Sequence, residues 1–288
     1  MRVLVLGGGG QVGRAVAQSA PARHQVIVKT RADLDITDES AVHRVVADAG
    51  ADWIVNGAAY TAVDLAEDQP ALATSVNDTA VGVLARAAAR ADARLLHLST
   101  DFVFDGESNR AYLPGDATGP WGVYGASKLA GESRVLQDGA GGIVLRTAWV
   151  YAASGKNFVL TMLRLMHERE QVKVVADQIG APTWAGGLAL AIWGLMDADA
   201  PGGVYHWTDL GVASWYDFAV AIQDEALERG LLSRAASIVP ITTAEYPTRA
   251  RRPAFSVLDT SATRALIAAP AVHWRHNLRV MLNELRTS

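Results

Sequence analysis

The chain is predicted to be an α/β protein, a Rossmann-like doubly wound parallel sheet with a smaller C-terminal substrate-binding domain. Three observations predict this. Short apolar runs alternate with helix-like segments through the first half. The runs are continuously apolar rather than alternating with polar residues, as a sheet buried on both faces requires. Four glycines, Gly7, Gly8, Gly9 and Gly10, join the first apolar run to the first helical segment.

Residues 3–6 form the first strand and 11–19 the first helix, followed by a strand at 25–29. Residues 40–49 have helical spacing, with Val42, Val45 and Val46 on one side. A third strand is expected at 53–56, one long Ala-rich helix over 70–91, a strand at 95–99, a helix over 125–137 and a strand at 143–145. Such β–α alternation implies parallel strands with right-handed crossovers. After Trp149 the rhythm breaks. Helical segments at 158–169, 187–196 and 214–229 are separated by Gly- and Pro-bearing loops, with short strands at 172–175 and 204–206. Residues 1–148 are therefore expected to bind a dinucleotide. Residues 149–288 are expected mainly to bind substrate, with some segments returning to the first part. No Ser/Gly linker, internal repeat or low-complexity tract divides the chain.

Half of the 288 residues are hydrophobic and 19% are charged, so a large core is available. A net charge of −4 argues against nucleic acid or an anionic membrane as partner, since both favour a basic face. The absence of cysteine excludes disulfides, thiolate metal ligands and cysteine nucleophiles. It also fits a reducing compartment. The first apolar run follows Met1 and Arg2 at once, leaving no room for a signal peptide, and the longest apolar stretch, near 186–196, is too short to span a bilayer. A cytoplasmic location is expected.

The glycine run satisfies two dinucleotide-binding frames, G-x-G-x-x-G through Gly8, Gly10 and Gly13, and G-x-x-G-x-x-G through Gly7, Gly10 and Gly13. Glycine is needed where the chain turns sharply and its backbone approaches a pyrophosphate. The helix that starts at Gln11 and Val12 then directs free N–H groups and its positive dipole end at the phosphates. Position, between strand and helix, is what makes the pattern informative. An acidic residue at the end of the second strand would bind the ribose 2′-hydroxyl. Lys29, Thr30 and Arg31 stand there instead and suit a 2′-phosphate, so NADP(H) is preferred and NAD(H) possible. Asp35 and Ile36 are candidates for the adenine edge, and Ala58, Ala59 and Tyr60 for the adenosine side. Asn77, on the long helix, is a further cofactor-binding candidate.

Tyr124 and Lys128 are four residues apart, which places both on one face of a helix. A phenol near pKa 10 relays protons poorly at neutral pH, and an adjacent ammonium favours its phenolate form. Thr100, at the end of a strand where open α/β sheets hold their ligands, is placed to bond a substrate carbonyl beside Tyr124. Asp101 is either a polar wall of the pocket or a loop cap. The seven histidines show no metal-binding spacing, and His97, inside a strand, reads as a core or supporting residue. No G-x-S-x-G is present, which excludes an α/β-hydrolase. The eight tryptophans are scattered and mostly suit a core, Trp149 excepted.

The chain resembles the extended short-chain dehydrogenase/reductases and, among them, the dTDP-4-dehydrorhamnose reductase family. The matching pieces run almost end to end: Gly7-x-x-Gly10-Gln11-x-Gly13; Asn56 and Ala58 to Glu67; Ser99 to Phe104 and Gly106; Tyr124-Gly125-x-Ser127-Lys128-x-x-Gly131-Glu132; Arg146-Thr147-x-Trp149-Val150-Tyr151; Asn157-Phe158-Val159; Asp177-Gln178-x-Gly180-x-Pro182-Thr183; and Tyr246-Pro247-Thr248 leading to Arg252-Pro253. The resemblance implies NAD(P)H-dependent reduction of the C4 ketone of dTDP-4-dehydro-β-L-rhamnose to dTDP-L-rhamnose. It implies catalytic roles for Thr100, Tyr124 and Lys128. Val63, Asp64, Asp101 and Phe102 would border the sugar. Trp149, Asn157, Gln178 and Thr183 would line the sugar–nucleotide channel, and Arg252 would clamp the diphosphate. Phe102 stands where the family usually has tyrosine, and Pro114-Gly115 replaces a loop glutamate. Some relatives bind Mg²⁺ at a dimer interface through carboxylates; Ala15 and Gly186 occupy those positions here, so no Mg²⁺ or other metal is expected and either a homodimer or a monomer is possible. Two alternatives share these motifs: a sugar-nucleotide epimerase or dehydratase, and a non-catalytic NADP-binding regulatory subunit.

Overall fold

Val3, Leu4, Val5 and Leu6 are all solvent-free, and successive residues serve opposite layers. Leu4 and Leu6 join one core with Val42, Val46 and Leu84; Val3 and Val5 join another with Ile192 and Trp193. A strand apolar on both faces has to be covered twice, and the sheet is therefore a middle layer. The computed structural model describes residues 1–138 and 141–287.

The elements run β1 (Arg2–Leu6), α1 (Gln11–Gln18), β2 (Gln25–Lys29), α2 (Glu39–Ala49), β3 (Trp53–Asn56), α3 (Val63–Asp68), α4 (Pro70–Thr74), α5 (Ala80–Arg90), β4 (Arg94–Thr100), α6 (Val123–Asp138) and β5 (Ile143–Thr147). They continue with β6 (Val150–Tyr151), α7 (Phe158–Glu168), β7 (Gln171–Val175), β8 (Ile179–Gly180), β9 (Thr183–Trp184), α8 (Ala185–Asp197), β10 (Gly203–His206), β11 (Ala213–Ser214), α9 (Trp215–Glu228), β12 (Ser237–Ile241), α10 (Ser261–Leu266) and α11 (Trp274–Thr287). The main sheet has the order β10-β5-β4-β3-β1-β2, and every pairing in it is parallel. The chain leaves β1 for β2 on one side and returns to β3 on the other. The crevice above β1 and β3 is thus the switch point at which open α/β sheets bind ligands.

The strand at 204–206 extends this sheet by pairing with β5, and α8 packs beneath it against α1. A third core, containing Met166, Phe218, Ile222, Leu278 and Met281, gathers α7, α9 and α11 over the β7–β12 pair. Gly186, at the start of α8, lies under the Trp184 ring, where a Cβ would stand 2.4 Å from a ring carbon.

The Ala-rich stretch expected as one helix is broken. Between α4 and α5, Ser75–Thr79 forms a π-helical turn, and α3 precedes it as a separate short helix. The cause is Asn77, which is buried and joins the Tyr60 backbone through both amide atoms and Ser127 Oγ through its nitrogen. Gly131 of α6 passes so close to the Asn77 carbonyl that a Cβ would stand 2.1 Å from it. Gly125 is similarly close to the Phe102 carbonyl, at 2.3 Å. The two glycines of the Tyr124–Glu132 motif therefore let α6 sit tightly against its neighbours. Glu132 completes the fit. It accepts two bonds from Arg146, at 2.9 and 2.6 Å, and one from Ser99 Oγ at 2.5 Å, all buried. This ties α6 to β4 and β5.

Candidate active site

At the C-terminal edge of the sheet, the loops after β1, β3, β4 and β5 enclose a cleft of about 710 Å³. Its first wall is the glycine turn. Gly7 has φ of +75°, a left-handed backbone that suits glycine. Cβ atoms would strike Val28 at Gly8 (2.1 Å) and the Gly7 carbonyl at Gly13 (2.4 Å). Gly9 is open, with only Thr30 Cβ as near as 4.0 Å. Gly10 caps α1 without any side-chain hydrogen bond, so the first-turn amides lack the usual protein cap. Tight backbone turning, an open face and uncapped amides together fit a dinucleotide pyrophosphate. Gln11 and Val12 line the same wall.

The floor comes from β4 and α6. Tyr124 and Lys128 lie in the first turns of α6, and both line the cleft with Thr100, Asp101 and Phe102. Thr100 Oγ1 accepts the Phe102 amide at 3.2 Å and donates to Asp101 Oδ1 at 3.0 Å, so it caps the short 3₁₀ turn at Asp101–Val103 while facing the cleft. Phe102 meets the Tyr124 ring edge-on, with centroids 5.7 Å apart. Lys128 Nζ donates to the Leu98 carbonyl at 2.7 Å and lies 3.1 Å from His97 Nε2.

The electrostatics correct one expectation. Lys128 was expected to lower the Tyr124 pKa, yet burial pushes the phenol up to about 12, opposed by the Thr100 hydrogen bond and reinforced by Asp101. The reason is that both groups are desolvated. Burial also brings Lys128 down to about 8, against the favourable charge of Glu132. Burial raises Asp101 to about 6, opposed by hydrogen bonds from Ser256 and Thr100.

The mouth is built from distant segments. Asp64, in the first turn of α3, accepts Arg252 at 2.8 Å and the Ala250 amide at 3.1 Å. Arg249 pairs with Asp68, and Arg251 lies over the Trp121 ring. Opposite, Trp149 has φ of +49° and stacks on Trp215 with centroids 3.5 Å apart. Its ring slot exists because residue 180 is glycine; a Cβ there would stand 2.6 Å from the indole. Gln178 lines the cleft and donates to Thr243 at 3.1 Å. Val63 and Ala59 line it as well.

Other candidates stand elsewhere. Thr183 is fully buried, and its hydroxyl bonds the Ala181 carbonyl. Asn77 is spent on holding Tyr60 to α6, while the Tyr60 hydroxyl donates to Gln69. Ile36 belongs to the core beside α2. Asn157 caps α7 and donates to Gln11 Oε1 at 2.9 Å, tying the second half of the chain to the glycine turn. Lys29 and Arg31 are at the end of β2, with Arg31 exposed, and Ala58 follows β3. The Thr30 hydroxyl, expected to be free for a phosphate, donates to Asp33 at 2.7 Å, and Asp35 is bonded by Thr37. Asp33 is an acid near the ribose position that the reading of Lys29 to Arg31 passed over.

Sequence reading also missed Lys156 and Trp215. Of the cations lining the cleft, Arg252 is paired with Asp64, and Lys128 is bonded to His97 and Leu98. Lys156, on a loop packed against Gln11 through Gly155, has no partner among the described residues. Neither residue belongs to a short motif, so only its neighbours reveal it.

A doubly wound sheet, a glycine turn at its switch point and a Tyr-x-x-x-Lys pair beside it define an NAD(P)-dependent oxidoreductase of the short-chain class. The chain belongs to the RmlD substrate binding domain family, whose model matches residues 1–287. It is 44% identical to the dTDP-4-dehydrorhamnose reductase of Burkholderia thailandensis, covering 99% of each chain. Against the Escherichia coli dTDP-4-dehydrorhamnose reductase it is 38% identical, covering 100% of this chain and 99% of the other. The crystal structure of the Bacillus anthracis dTDP-4-dehydrorhamnose reductase in complex with NADP superposes with a TM-score of 0.92 at 33% identity, covering 98% of this chain and 99% of that one. A Thermus thermophilus UDP-glucose 4-epimerase, 21% identical with a TM-score of 0.84 over 100% of both chains, shares the fold.

Proposed function

We propose that the chain reduces the C4 ketone of dTDP-4-dehydro-β-L-rhamnose with NADPH to give dTDP-L-rhamnose, the last step in making that activated sugar. One observation carries this reading: Thr100, Tyr124 and Lys128 share one cleft with the uncapped end of the glycine turn. Gly7, Gly10, Gln11, Val12 and Gly13 would hold the pyrophosphate of the reduced nicotinamide dinucleotide, which would supply the hydride when bound. Lys29 and Arg31 favour the 2′-phosphate of NADP(H), while Asp33 leaves room for NAD(H).

The chain's own residues handle the proton and the charge. Thr100 orients the ketone. Tyr124, raised to about 12, is fully protonated at neutral pH and delivers its proton to the developing alkoxide, a much stronger base than a phenolate. Lys128 holds the nicotinamide ribose and offsets the phenolate left behind. Stabilising a charge that develops only in the transition state is where most of the rate gain arises. Phe102, Val63 and Trp149 shape an apolar wall for the sugar, and Asp101 and Gln178 offer polar contacts. Arg252 and the unpaired Lys156 serve the diphosphate.

NADPH oxidation measured with a panel of dTDP- and UDP-linked 4-keto sugars tests this. Turnover should be largest with the dTDP-4-dehydrorhamnose substrate. Absence of turnover with every 4-keto sugar would overturn the reading. Among the described residues no helix is long and apolar enough to cross a membrane.

A further inference from the structure

Two ion pairs fasten residues 249–252 to the short helix α3. Arg252 Nη2 donates to Asp64 Oδ2 at 2.8 Å, with its Nη1 at 3.4 Å from Asp64 Oδ1. Arg249 pairs with Asp68, one turn further along α3. A third tie needs no charged side chain on the segment: the Ala250 amide donates to Asp64 Oδ1 at 3.1 Å. The two carboxylate oxygens of Asp64 therefore divide the work. Oδ1 holds the backbone, and Oδ2 holds the guanidinium.

Arg252 lines the cleft, and so does Val63, the neighbour of Asp64 at the start of α3. While the pair is closed its net charge is nil, and it attracts an anion only weakly. Both side chains are half-buried, and an ion pair in such a setting is itself weak. Charge-assisted bonds from a guanidinium to a phosphate group are stronger, so a diphosphate can draw Arg252 away. Asp64 Oδ2 is then an acceptor without a donor. A sugar nucleotide brings the missing donors, since its sugar carries hydroxyls beside the ketone. A nucleoside diphosphate without the sugar brings the anion alone.

We propose that Asp64 is a specificity-determining residue. It latches Arg252 in the free chain and yields it readily only to a ligand that has both a diphosphate and sugar hydroxyls. The segment need not move as a whole, because Arg249 and the Ala250 amide keep it on α3. Only the guanidinium swings from Oδ2 to the phosphates. The inference rests on the function proposed above and adds discrimination against the bare nucleotide, which shares the diphosphate and competes for the same cleft.

Binding of dTDP and of dTDP-L-rhamnose to the full chain loaded with NADP⁺, measured by calorimetry, tests the latch. Asp64→Asn is the decisive variant. Asparagine keeps Oδ1 for the Ala250 amide but sets an N–H against Arg252 Nη2, so the latch opens while the segment stays in place. The variant should bind dTDP roughly two- to fivefold more tightly, the worth of a partly exposed ion pair. It should bind dTDP-L-rhamnose no more tightly than the unaltered chain does, because the acceptor for the sugar hydroxyls is lost as well. In Arg252→Ala, adding Asp64→Asn should leave dTDP binding as it is. Weaker dTDP binding in Asp64→Asn would mean that Asp64 orients Arg252, and equal tightening of both ligands would mean that it only repels anions; either result overturns the proposal. Should the asparagine variant not fold, Asp64→Ala carries the same expectations. Arg252→Ala by itself separates the two levels of the argument. If it binds dTDP normally, the diphosphate role of Arg252 falls and the latch with it; if it binds dTDP poorly while Asp64→Asn changes nothing, the latch alone falls.

Discussion

The floor and the mouth of the cleft are built by different means. On the floor, Tyr124 and Lys128 project from the first turns of a regular helix. That helix is locked to the sheet by two close-approach glycines and by the buried Glu132–Arg146 pair. At the mouth, Asp64 and Arg252 are only half-buried, lie on a six-residue helix and a loop, and are separated by 188 positions in the chain. The contrast teaches where each kind of work is placed. Proton transfer tolerates little displacement and is carried by rigid elements, whereas recognition of a variable ligand is carried by loops.

If that division is right, disturbing the floor should abolish chemistry and disturbing the mouth should mainly weaken binding. Tyr124→Phe is the severest test. It should bind NADPH normally but lose about 10²–10⁴-fold in turnover, because it removes a positioned acid. Near-normal turnover in stopped-flow assays would end the proton-donor assignment. Next comes Glu132→Gln, which leaves Arg146 buried without its counter-ion. A loss of about 3–5 kcal/mol in denaturant-melt stability is expected. An unchanged melt would show that α6 is held mainly by its glycine contacts. A smaller effect belongs to the mouth. Arg252→Ala should raise KM for the sugar nucleotide about tenfold with little change in kcat, equivalent to about 1.4 kcal/mol. A fall in kcat with unchanged KM would instead place Arg252 with the floor.

The smallest effect concerns Asp101 and depends on pH. Its folded pKa, about 6, is above the unfolded value near 3.8, so the folded state holds the extra proton between them. Stability therefore falls as pH rises from about 4 to about 6, and the penalty stays in full at higher pH. Asp101→Asn should stabilise the chain at pH 8 and change it little at pH 4. Equal effects at both values, read from thermal melts, would mean that the buried carboxylate is not the source. A stabilised but slower variant would sharpen the comparison, since the floor would then hold a costly charge for its chemistry.

Much of the central sheet was legible because its signals are local. A buried parallel strand announces itself by a continuous apolar run, and β2 and β3 fall where such runs predict. The pairing of β10 with β5 was not legible, since four residues after an irregular region carry no mark of the sheet they join. The π-helical turn escaped for a related reason: its cause is Asn77 reaching Tyr60 and Ser127, and an Ala-rich stretch otherwise reads as plain helix. In the site, Tyr124, Lys128 and the glycines could be found by spacing. Trp215 and Lys156 could not, being defined only by Trp149 stacked on one and Gln11 lying beside the loop of the other. Thr183 shows the opposite error, a motif residue whose hydroxyl turns out to bond its own chain.

By itself, the sequence determined the elements whose causes lie within a few residues: the strand period, the glycine turn and the four-residue spacing that sets a phenol and an amine on one helical face. Tertiary structure alone decided which partners those groups met. The partners met by His97, the burial of Tyr124 and the closing of Asp64 on Arg252 each depend on atoms brought together from distant segments. Desolvation and donor–acceptor matching act over a few ångströms of space, whatever the separation along the chain.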